Sequence, residues 1–130
     1  MPVHATAGSS GLDLFAYLDK NVEIILDSIP KLIGTGIALQ APIGYDIQIR
    51  SRSGLASKGV GVVLGTVDSD YRGEIKVTMY MLDPNKTYAI KHEDRIAQLV
   101  ISKLALLPLI ETQELDASGR GLGGHGSSGR

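Results

Sequence analysis

Apolar and polar residues alternate with a period of two in the middle of the chain. Every second residue is apolar in the segment 45–50, "YDIQIR", and in the segment 74–81, "EIKVTMYM". Successive side chains of a β-strand point to opposite faces, so this period predicts two strands that each bury one face. The residues expected on the buried faces are Tyr45, Ile47, Ile49, Ile75, Val77, Met79 and Met81.

Three other segments are rich in apolar residues without clear alternation. They are residues 22–26, "VEIIL", residues 32–39, "LIGTGIAL", and residues 97–110, "AQLVISKLALLPLI". Apolar runs separated by Gly, Pro, Asn and Asp are typical of strands in all-β proteins. We therefore expect these three segments to form strands that are buried on both faces.

The best helix candidate is short. Residues 53–59, "SGLASKG", could begin with Ser53 as the N-cap and end at Gly59. The sequence thus predicts an all-β domain with one short helix, in the form of a sandwich, a jelly roll or a small barrel. From Ala117 onwards Gly and Ser dominate. This composition predicts a domain over residues 1–118 and a flexible C-terminal arm over residues 119–130.

The composition excludes several classes of function. The chain has 130 residues, which fits one domain, and only 5% of them are aromatic, so we expect an aliphatic core. Its 13 basic and 14 acidic residues give no general attraction to nucleic acids or anionic membranes. The absence of cysteine excludes a disulfide framework and a cysteine nucleophile. Without a signal-peptide pattern, we expect a cytoplasmic or nuclear protein, or a protein of the virion or infected cell if the source is viral.

The best candidate for a phosphate site is the segment 50–59, "RSRSGLASKG". Arg52 lies directly before the candidate N-cap Ser53. A helix N-terminus offers free N–H groups and the positive end of the helix dipole, and a guanidinium group matches phosphate oxygens. The alternative is a helix cap with solvated arginines.

Three carboxylates and one amide have neighbours that allow a catalytic role. Asp68 and Asp70 in "GTVDSDYRGE" are solvated turn residues or, near bound phosphates, groups that orient a water or meet a metal ion. Asp13 lies between two leucines in "AGSSGLDL", at a sheet edge or in a functional position. Gln98 in "DRIAQL" needs a hydrogen-bond partner unless it lies on a solvated strand face.

The C-terminal segment "RGLGGHGSSGR" combines phosphate-binding residue types with one ring. Arg120, Ser127 and Ser128 suit phosphate oxygens, the glycines let backbone N–H groups approach an anion, and His125 supplies a flat ring. Such an arm could fold over a ligand that has both a phosphate and a base. The alternative is a disordered tail.

Taken in chain order from Ala7 to Gly129, the five clusters "AGSSGLDL", "RSRSGLASKG", "GTVDSDYRGE", "DRIAQL" and "RGLGGHGSSGR" together resemble the trimeric dUTPase family. The resemblance implies a distorted jelly-roll β-barrel of the β-clip class. It implies a homotrimer with three active sites shared between chains, and no nucleic-acid or membrane partner. The implied reaction is the Mg²⁺-dependent hydrolysis of dUTP to dUMP and pyrophosphate, which limits uracil in DNA and supplies dUMP for thymidylate synthesis.

The resemblance also implies a role for each matching residue. Asp68 would activate the attacking water, Asp13 would orient waters around Mg²⁺, and Tyr71 would pack under the deoxyribose. Gln98 would contact the α-phosphate or its water. The residues implied in holding phosphate oxygens are Arg52, Ser53, Gly54, Arg120, Ser127 and Ser128. The implied uracil contacts are backbone groups of a hairpin, "VVLGTVD", at Val63, Gly65 and Val67, with His125 and Gly126 in the lid. His125 stands where the family most often carries Phe.

Two alternatives share the fold. A dCTP deaminase would need a carboxylate that activates water at the cytosine ring, whereas the side chains of the expected hairpin are Val62, Val63 and Leu64. A non-catalytic regulatory protein would show degraded motifs, whereas Asp68, Arg52 and Arg120 are all present.

Overall fold

The computed structural model describes residues 1–124 and contains ten β-strands and one short α-helix. The elements in chain order are β1 (Val3–His4), β2 (Gly11–Phe15), β3 (Ile24–Leu26), β4 (Lys31–Gly34), β5 (Tyr45–Arg50), α1 (Ser53–Ala56), β6 (Val60–Val62), β7 (Gly65–Val67), β8 (Lys76–Met81), β9 (Tyr88–Ile90) and β10 (Arg95–Lys103). The prediction of an all-β fold with one short helix is confirmed. Within residues 1–124, no helix is long and apolar enough to cross a membrane.

The strands form three antiparallel sheets. The largest has the order β1-β2-β10-β5-β7, the second pairs β3 with β9, and the third has the order β4-β8-β6. Apart from β1 and β2, the paired strands are not consecutive in sequence, as where β10 lies between β2 and β5. Such long-range antiparallel pairing is consistent with a jelly roll.

The core lies between the sheets and is built from aliphatic side chains and methionine. Both alternating segments contribute to the core, because Ile47 and Ile49 of β5 and Val77, Met79 and Met81 of β8 are buried. The prediction is wrong for Tyr45, which begins β5 and is 40% exposed. The other core residues are Leu14, Ala16, Leu26, Ile33, Leu55, Val60, Val67, Ile75, Ile90, Ile96, Ala97 and Leu99.

The prediction that the apolar segments are buried on both faces is wrong for this chain. Ile25 in β3 and Leu32 in β4 are exposed beside a buried neighbour, and Ile101 in β10 is exposed two residues after the buried Leu99. The segment 104–110 carries no strand and is exposed throughout. An apolar run indicates that burial of its side chains is favourable. It does not indicate which surface, of the same chain or of another, would bury them.

The ends of α1 also differ from prediction. The N-cap is Arg52, which makes no side-chain capping bond, and the C-cap is Ser57. Ser53 is therefore the first helical residue, not the cap. Gly59 follows the C-cap by two residues and has a positive φ of 81°.

Candidate active site

Three of the residues that the sequence singled out meet a fourth, Arg95, where β2 and β10 pair. We call Asp13, Arg52, Arg95 and Gln98 the arginine cluster. Asp13 in β2 lies directly opposite Gln98 in β10, and Arg52 lies in the short connection from β5 to α1. β10 lies between β2 and β5 in the sheet. This order brings the β5–α1 connection close to β2, although the two are distant in sequence.

Asp13 is the centre of the arginine cluster and is held by two guanidinium groups. Arg52 donates from Nε to Oδ1 at 3.0 Å, and Arg95 donates from Nη1 to Oδ2 at 3.4 Å. Asp13 is only 8% exposed. Burial of a carboxylate is costly unless opposite charges and hydrogen bonds compensate it, and here both oxygens are compensated. One carboxylate and two guanidinium groups leave the cluster positive, which suits an anion.

Arg52 is fixed by a second contact. Its Nη1 donates to the backbone carbonyl of Arg95 at 2.8 Å. These two bonds use Nε and Nη1 of this half-buried side chain. Within residues 1–124 no hydrogen bond from Nη2 is found, so Nη2 can donate to a ligand. The first N–H groups of a helix have no partner inside it, and Ser53 and Gly54 therefore present backbone donors beside Arg52. Both residues are exposed.

Gln98 has the hydrogen-bond partner that the sequence required. Its Nε2 donates to the carbonyl of Ser51 at 2.8 Å. The side chain lies across Gly11 on the neighbouring strand, where a Cβ atom would clash with Oε1. A glycine is thus needed at position 11 for Gln98 to keep this orientation.

The segment expected to form a hairpin has a different arrangement. β6 pairs with β8, and β7 pairs with β5, so the two strands lie in different sheets. Val63 lies between them and donates its N–H to the carbonyl of Thr78 at 2.9 Å. The Val63 donor is therefore already used. Gly65 and Val67 are held by the β5 ladder, where they pair with Ile49 and Ile47.

Asp68 and Tyr71 lie just beyond the end of β7. Tyr71 donates its N–H to the Asp68 carbonyl at 3.1 Å, which closes a turn between them. Both residues line a cleft of about 210 Å³, together with Gly65, Val67 and Lys76. Within the described residues, the Asp68 carboxylate forms no salt bridge, so it is available to bind a water molecule.

The Tyr71 ring is fixed from below. Its hydroxyl donates to the carbonyl of Glu74 at 3.1 Å. The ring lies over Gly73, where a Cβ atom would clash with the hydroxyl oxygen. Tyr71 is 47% exposed, and so it offers a flat, oriented surface to a ligand.

One chain does not bring Asp68 to the arginine cluster. Gln98 pairs with Arg50 of β5, and Val67 pairs with Ile47, which precedes Arg50 by three residues on the same strand. Two strand spacings of about 4.8 Å and three residues of about 3.3 Å put the Cα atoms of Gln98 and Val67 roughly 14 Å apart. Asp68 lies beyond Val67. Asp68 and the arginine cluster of one chain are therefore well separated.

Among the described residues, no hydrogen bond or salt bridge joins residues 104–124 to the arginine cluster, Asp68 or Tyr71. After β10 ends at Lys103, residues 104–122 are exposed. Arg120 donates from Nε to the carbonyl of Gly123 at 2.7 Å, within its own turn. His125, Gly126, Ser127 and Ser128 lie outside the described residues, and their proposed contacts stay predictions, as does the boundary at residue 118.

Sequence reasoning missed Arg95, Gly11 and Gly73. The only sequence signal for Arg95 was its place three residues before Gln98 in "DRIAQL". Its contact with Asp13 depends on the β2–β10 register, which includes an irregularity between Arg95 and Ala97. The roles of Gly11 and Gly73 depend on which side chain crosses them.

The chain matches a known family over almost its whole length. The dUTPase family model matches residues 1–129. A deoxyuridine 5'-triphosphate nucleotidohydrolase of Chlamydia trachomatis is 47% identical over 133 aligned residues, which cover 99% of this chain and 90% of the relative. An enzyme of the same name from Corynebacterium efficiens is 45% identical and is matched over 100% of this chain and 72% of its own length.

Solved structures agree with the fold. The dUTPase of Staphylococcus bacteriophage 80alpha, determined with dUPNHPP, gives a TM-score of 0.81 at 25% identity, over 100% of this chain and 92% of that chain. A point mutant of the dUTPase from phage phi11 of S. aureus, which coordinates a structural Mg(II) ion, gives a TM-score of 0.75 at 24% identity. That match covers 88% of this chain and 90% of the phage chain, and it bears on the fold alone.

Proposed function

The chain belongs to the dUTPase family and hydrolyses dUTP, and from this premise we propose that a water activated by Asp68 attacks the α-phosphate. The bond between the α-phosphorus and the bridging oxygen then breaks. The products are dUMP, which gains the water oxygen, and pyrophosphate. The observation that carries this assignment is the exposed Asp68 carboxylate beside the fixed Tyr71 ring in one cleft.

Asp68 suits the role of a general base. A carboxylate is ionised at neutral pH and can accept a proton from the attacking water. The turn that the Tyr71 N–H closes on the Asp68 carbonyl fixes the backbone that carries the carboxylate. A water bound to Asp68 is thereby placed at a fixed distance from a sugar resting on Tyr71.

The arginine cluster is the proposed site for the polyphosphate. A triphosphate is highly charged, and its transition state for phosphoryl transfer is stabilised by positioned positive charge. Arg52 is held by Asp13 and by the Arg95 carbonyl, so it needs little reordering to bind phosphate oxygens. Ser53 and Gly54 would add backbone donors, and Gln98 would contact the α-phosphate.

The residues present fit a magnesium ion that binds together with the nucleotide. Among the described residues there is no group of three or more His, Asp and Glu side chains that could hold a metal. Mg²⁺ commonly keeps several waters and is bound by one or two carboxylates and substrate phosphates, and Asp13 can supply one such carboxylate through water. Bound there, the ion would offset phosphate charge.

We further propose that the active site is completed by other copies of the chain in a homotrimer. The roughly 14 Å between Gln98 and Val67 follows from the sheet register and separates the base from the phosphate site of one chain. The segment 104–110 presents Leu106, Leu107, Leu109 and Ile110 to solvent. An apolar surface of this kind marks a protein interface. The arm with Arg120, His125, Ser127 and Ser128 would then close over a site built by its neighbours.

Selection of deoxyuridine is assigned to β7 and Tyr71. Backbone groups near Gly65 and Val67 have directions fixed by the β5 ladder, so they can match the uracil edge. The Val63 N–H is already bonded to Thr78 and is left out of this proposal. The Tyr71 ring would pack against the deoxyribose and exclude a 2′-hydroxyl group.

Product analysis in ¹⁸O-labelled water tests this proposal. The protein is incubated with dUTP and Mg²⁺, and parallel samples contain dCTP or UTP. We expect dUMP and pyrophosphate, with the label in dUMP because the α-phosphate is attacked. Label in pyrophosphate would overturn the proposed site of attack. Ammonia from dCTP would instead identify a deaminase.

A further inference from the structure

Arg95 joins the arginine cluster through both its side chain and its backbone. Its guanidinium donates to Asp13 Oδ2, and its carbonyl accepts a hydrogen bond from Arg52 Nη1. One residue thus touches the carboxylate and the phosphate-binding arginine at once. Because the carbonyl contact survives any substitution at position 95, the role of the side chain can be tested separately.

The Asp13 carboxylate needs a positively charged partner that does not also bind the substrate. The carboxylate is almost fully buried, and Arg52 and Arg95 each neutralise one of its oxygens. When a triphosphate binds, its oxygens compete for the charge of Arg52. A carboxylate left with too little positive charge would then repel the polyphosphate from the site. The second guanidinium prevents this, since Arg95 faces Asp13 from the opposite strand.

We propose that Arg95 is a positioning residue, which fixes the Asp13 carboxylate and offsets its charge while Arg52 binds the triphosphate. The inference rests on the proposed function, because it concerns the same site. Arg95 acts through Asp13 and does not itself touch the nucleotide.

A direct role for Arg95 in phosphate binding is the competing explanation. Its side chain is partly exposed and lines a cleft of about 250 Å³ with Arg52 and Lys58. The two explanations differ in one measurable respect. A direct contact with phosphate does not need the Asp13 charge, whereas positioning through Asp13 loses its purpose when that charge is removed.

A double-mutant cycle separates them. Arg95→Gln, Asp13→Asn and the double variant are compared with the wild-type protein. The readouts are calorimetric affinity for a non-hydrolysable dUTP analogue with Mg²⁺, kcat and KM for dUTP, and thermal melting. Lys91→Gln is the matched control. Lys91→Gln also removes one positive charge and one ion pair, the pair with Glu23. Lys91 is an exposed residue four positions before Arg95 and is not part of the arginine cluster.

We expect Arg95→Gln to weaken analogue binding about tenfold, the size of effect seen when a partner of a metal-associated carboxylate is lost. In the Asp13→Asn background the same substitution should change affinity less than about twofold. Arg95→Lys should recover part of the loss, and Lys91→Gln should bind like the wild-type protein.

A tenfold loss that persists in the Asp13→Asn background would overturn the proposal in favour of direct phosphate contact. An unchanged affinity in Arg95→Gln would overturn it as well. If Arg95→Gln does not fold, the same cycle is run with Arg95→Lys, whose loss must also vanish in the Asp13→Asn background. Failure of the proposed function is a separate result, in which the wild-type protein releases no pyrophosphate from dUTP.

Discussion

Tyr71 donates its hydroxyl hydrogen to the backbone carbonyl of Glu74, three residues later, at 3.1 Å. The ring is thereby folded back over Gly73 and cannot swing freely into the cleft. If this ring excludes a ribose, the glycine beneath it is as important for sugar selection as the tyrosine itself.

Gly73→Ala should therefore weaken the discrimination between dUTP and UTP. The new Cβ atom would clash with the Tyr71 hydroxyl oxygen, so the ring has to move and its bond to Glu74 is lost. We expect the ratio of kcat/KM for the two nucleotides to fall about tenfold. Gly8→Ala is the control, since a Cβ atom there meets no other atom within 4 Å. An unchanged ratio in Gly73→Ala would show that the ring position does not set sugar choice.

Replacing Glu93 with glycine should stabilise the fold. Glu93 has a φ of 65°, in the left-handed region, and it forms the turn in which Asp94 N–H bonds to the Lys91 carbonyl. This conformation costs an ordinary residue about 1–2 kcal/mol, and Glu93→Gly would remove that cost. The greater freedom of glycine in the unfolded chain would offset about 0.5–1 kcal/mol of the stabilisation. Denaturant titration should show a net increase of about 0.5 kcal/mol. Glu93→Ala keeps the strain and should show no increase, so equal gains in both variants would refute this explanation.

Two charges placed on the exposed apolar segment should prevent assembly. Leu107 and Leu109 are 80% and 101% exposed in the single chain. In Leu107→Asp/Leu109→Asp, burial of two carboxylates would oppose trimer formation. Mass measurement in solution should give a monomer, and dUTP hydrolysis should be lost because the site is shared. Ile29→Asp, which alters another exposed apolar residue, should remain a trimer. A trimeric mass for the double variant would place the interface elsewhere.

Deletion of residues 119–130 should suppress catalysis with little effect on stability. The described part of this arm, residues 119–124, is largely exposed, and Arg120 bonds only to Gly123 of its own turn. Such a segment adds little to the core, whereas an ordered arm would shield the site from water. Melting temperature and dUTP turnover are measured on the same sample. A large fall in melting temperature would mean that the arm is part of the folded domain.

Local patterns predicted some elements well and others poorly. The period of two located β5 and β8 and, apart from the exposed Tyr45, the buried face of each, because alternation is a property of the strand itself. The longer apolar runs gave the strands only in part, since residues 35–39 and 104–110 carry no strand, and they did not give their burial. Ile101 and Leu109 belong to these runs and are nevertheless exposed in the single chain. The N-cap was predicted one residue too late. Serine is a preferred N-cap residue type, but the extended backbone that precedes the helix is that of Arg52.

The candidate site shows the same division. The motifs identified Asp13, Arg52 and Gln98, and the structure brings these three together. Arg95 was missed because its contact depends on how β2 and β10 pair across some eighty residues. The expected hairpin of Val63, Gly65 and Val67 was wrong for a similar reason. Its two strands are short and adjacent in sequence, yet each pairs more extensively with a distant strand.

The rate of pyrophosphate release by Asp68→Asn tests the central claim most directly. The amide cannot accept a proton from water, while its size and the turn with Tyr71 are preserved. We predict a rate about 10²–10⁴-fold below that of the wild-type protein, with affinity for a non-hydrolysable dUTP analogue unchanged. Asp19→Asn, the same substitution in an exposed turn, should keep the wild-type rate. Wild-type turnover by Asp68→Asn would contradict the assignment of Asp68 as the base.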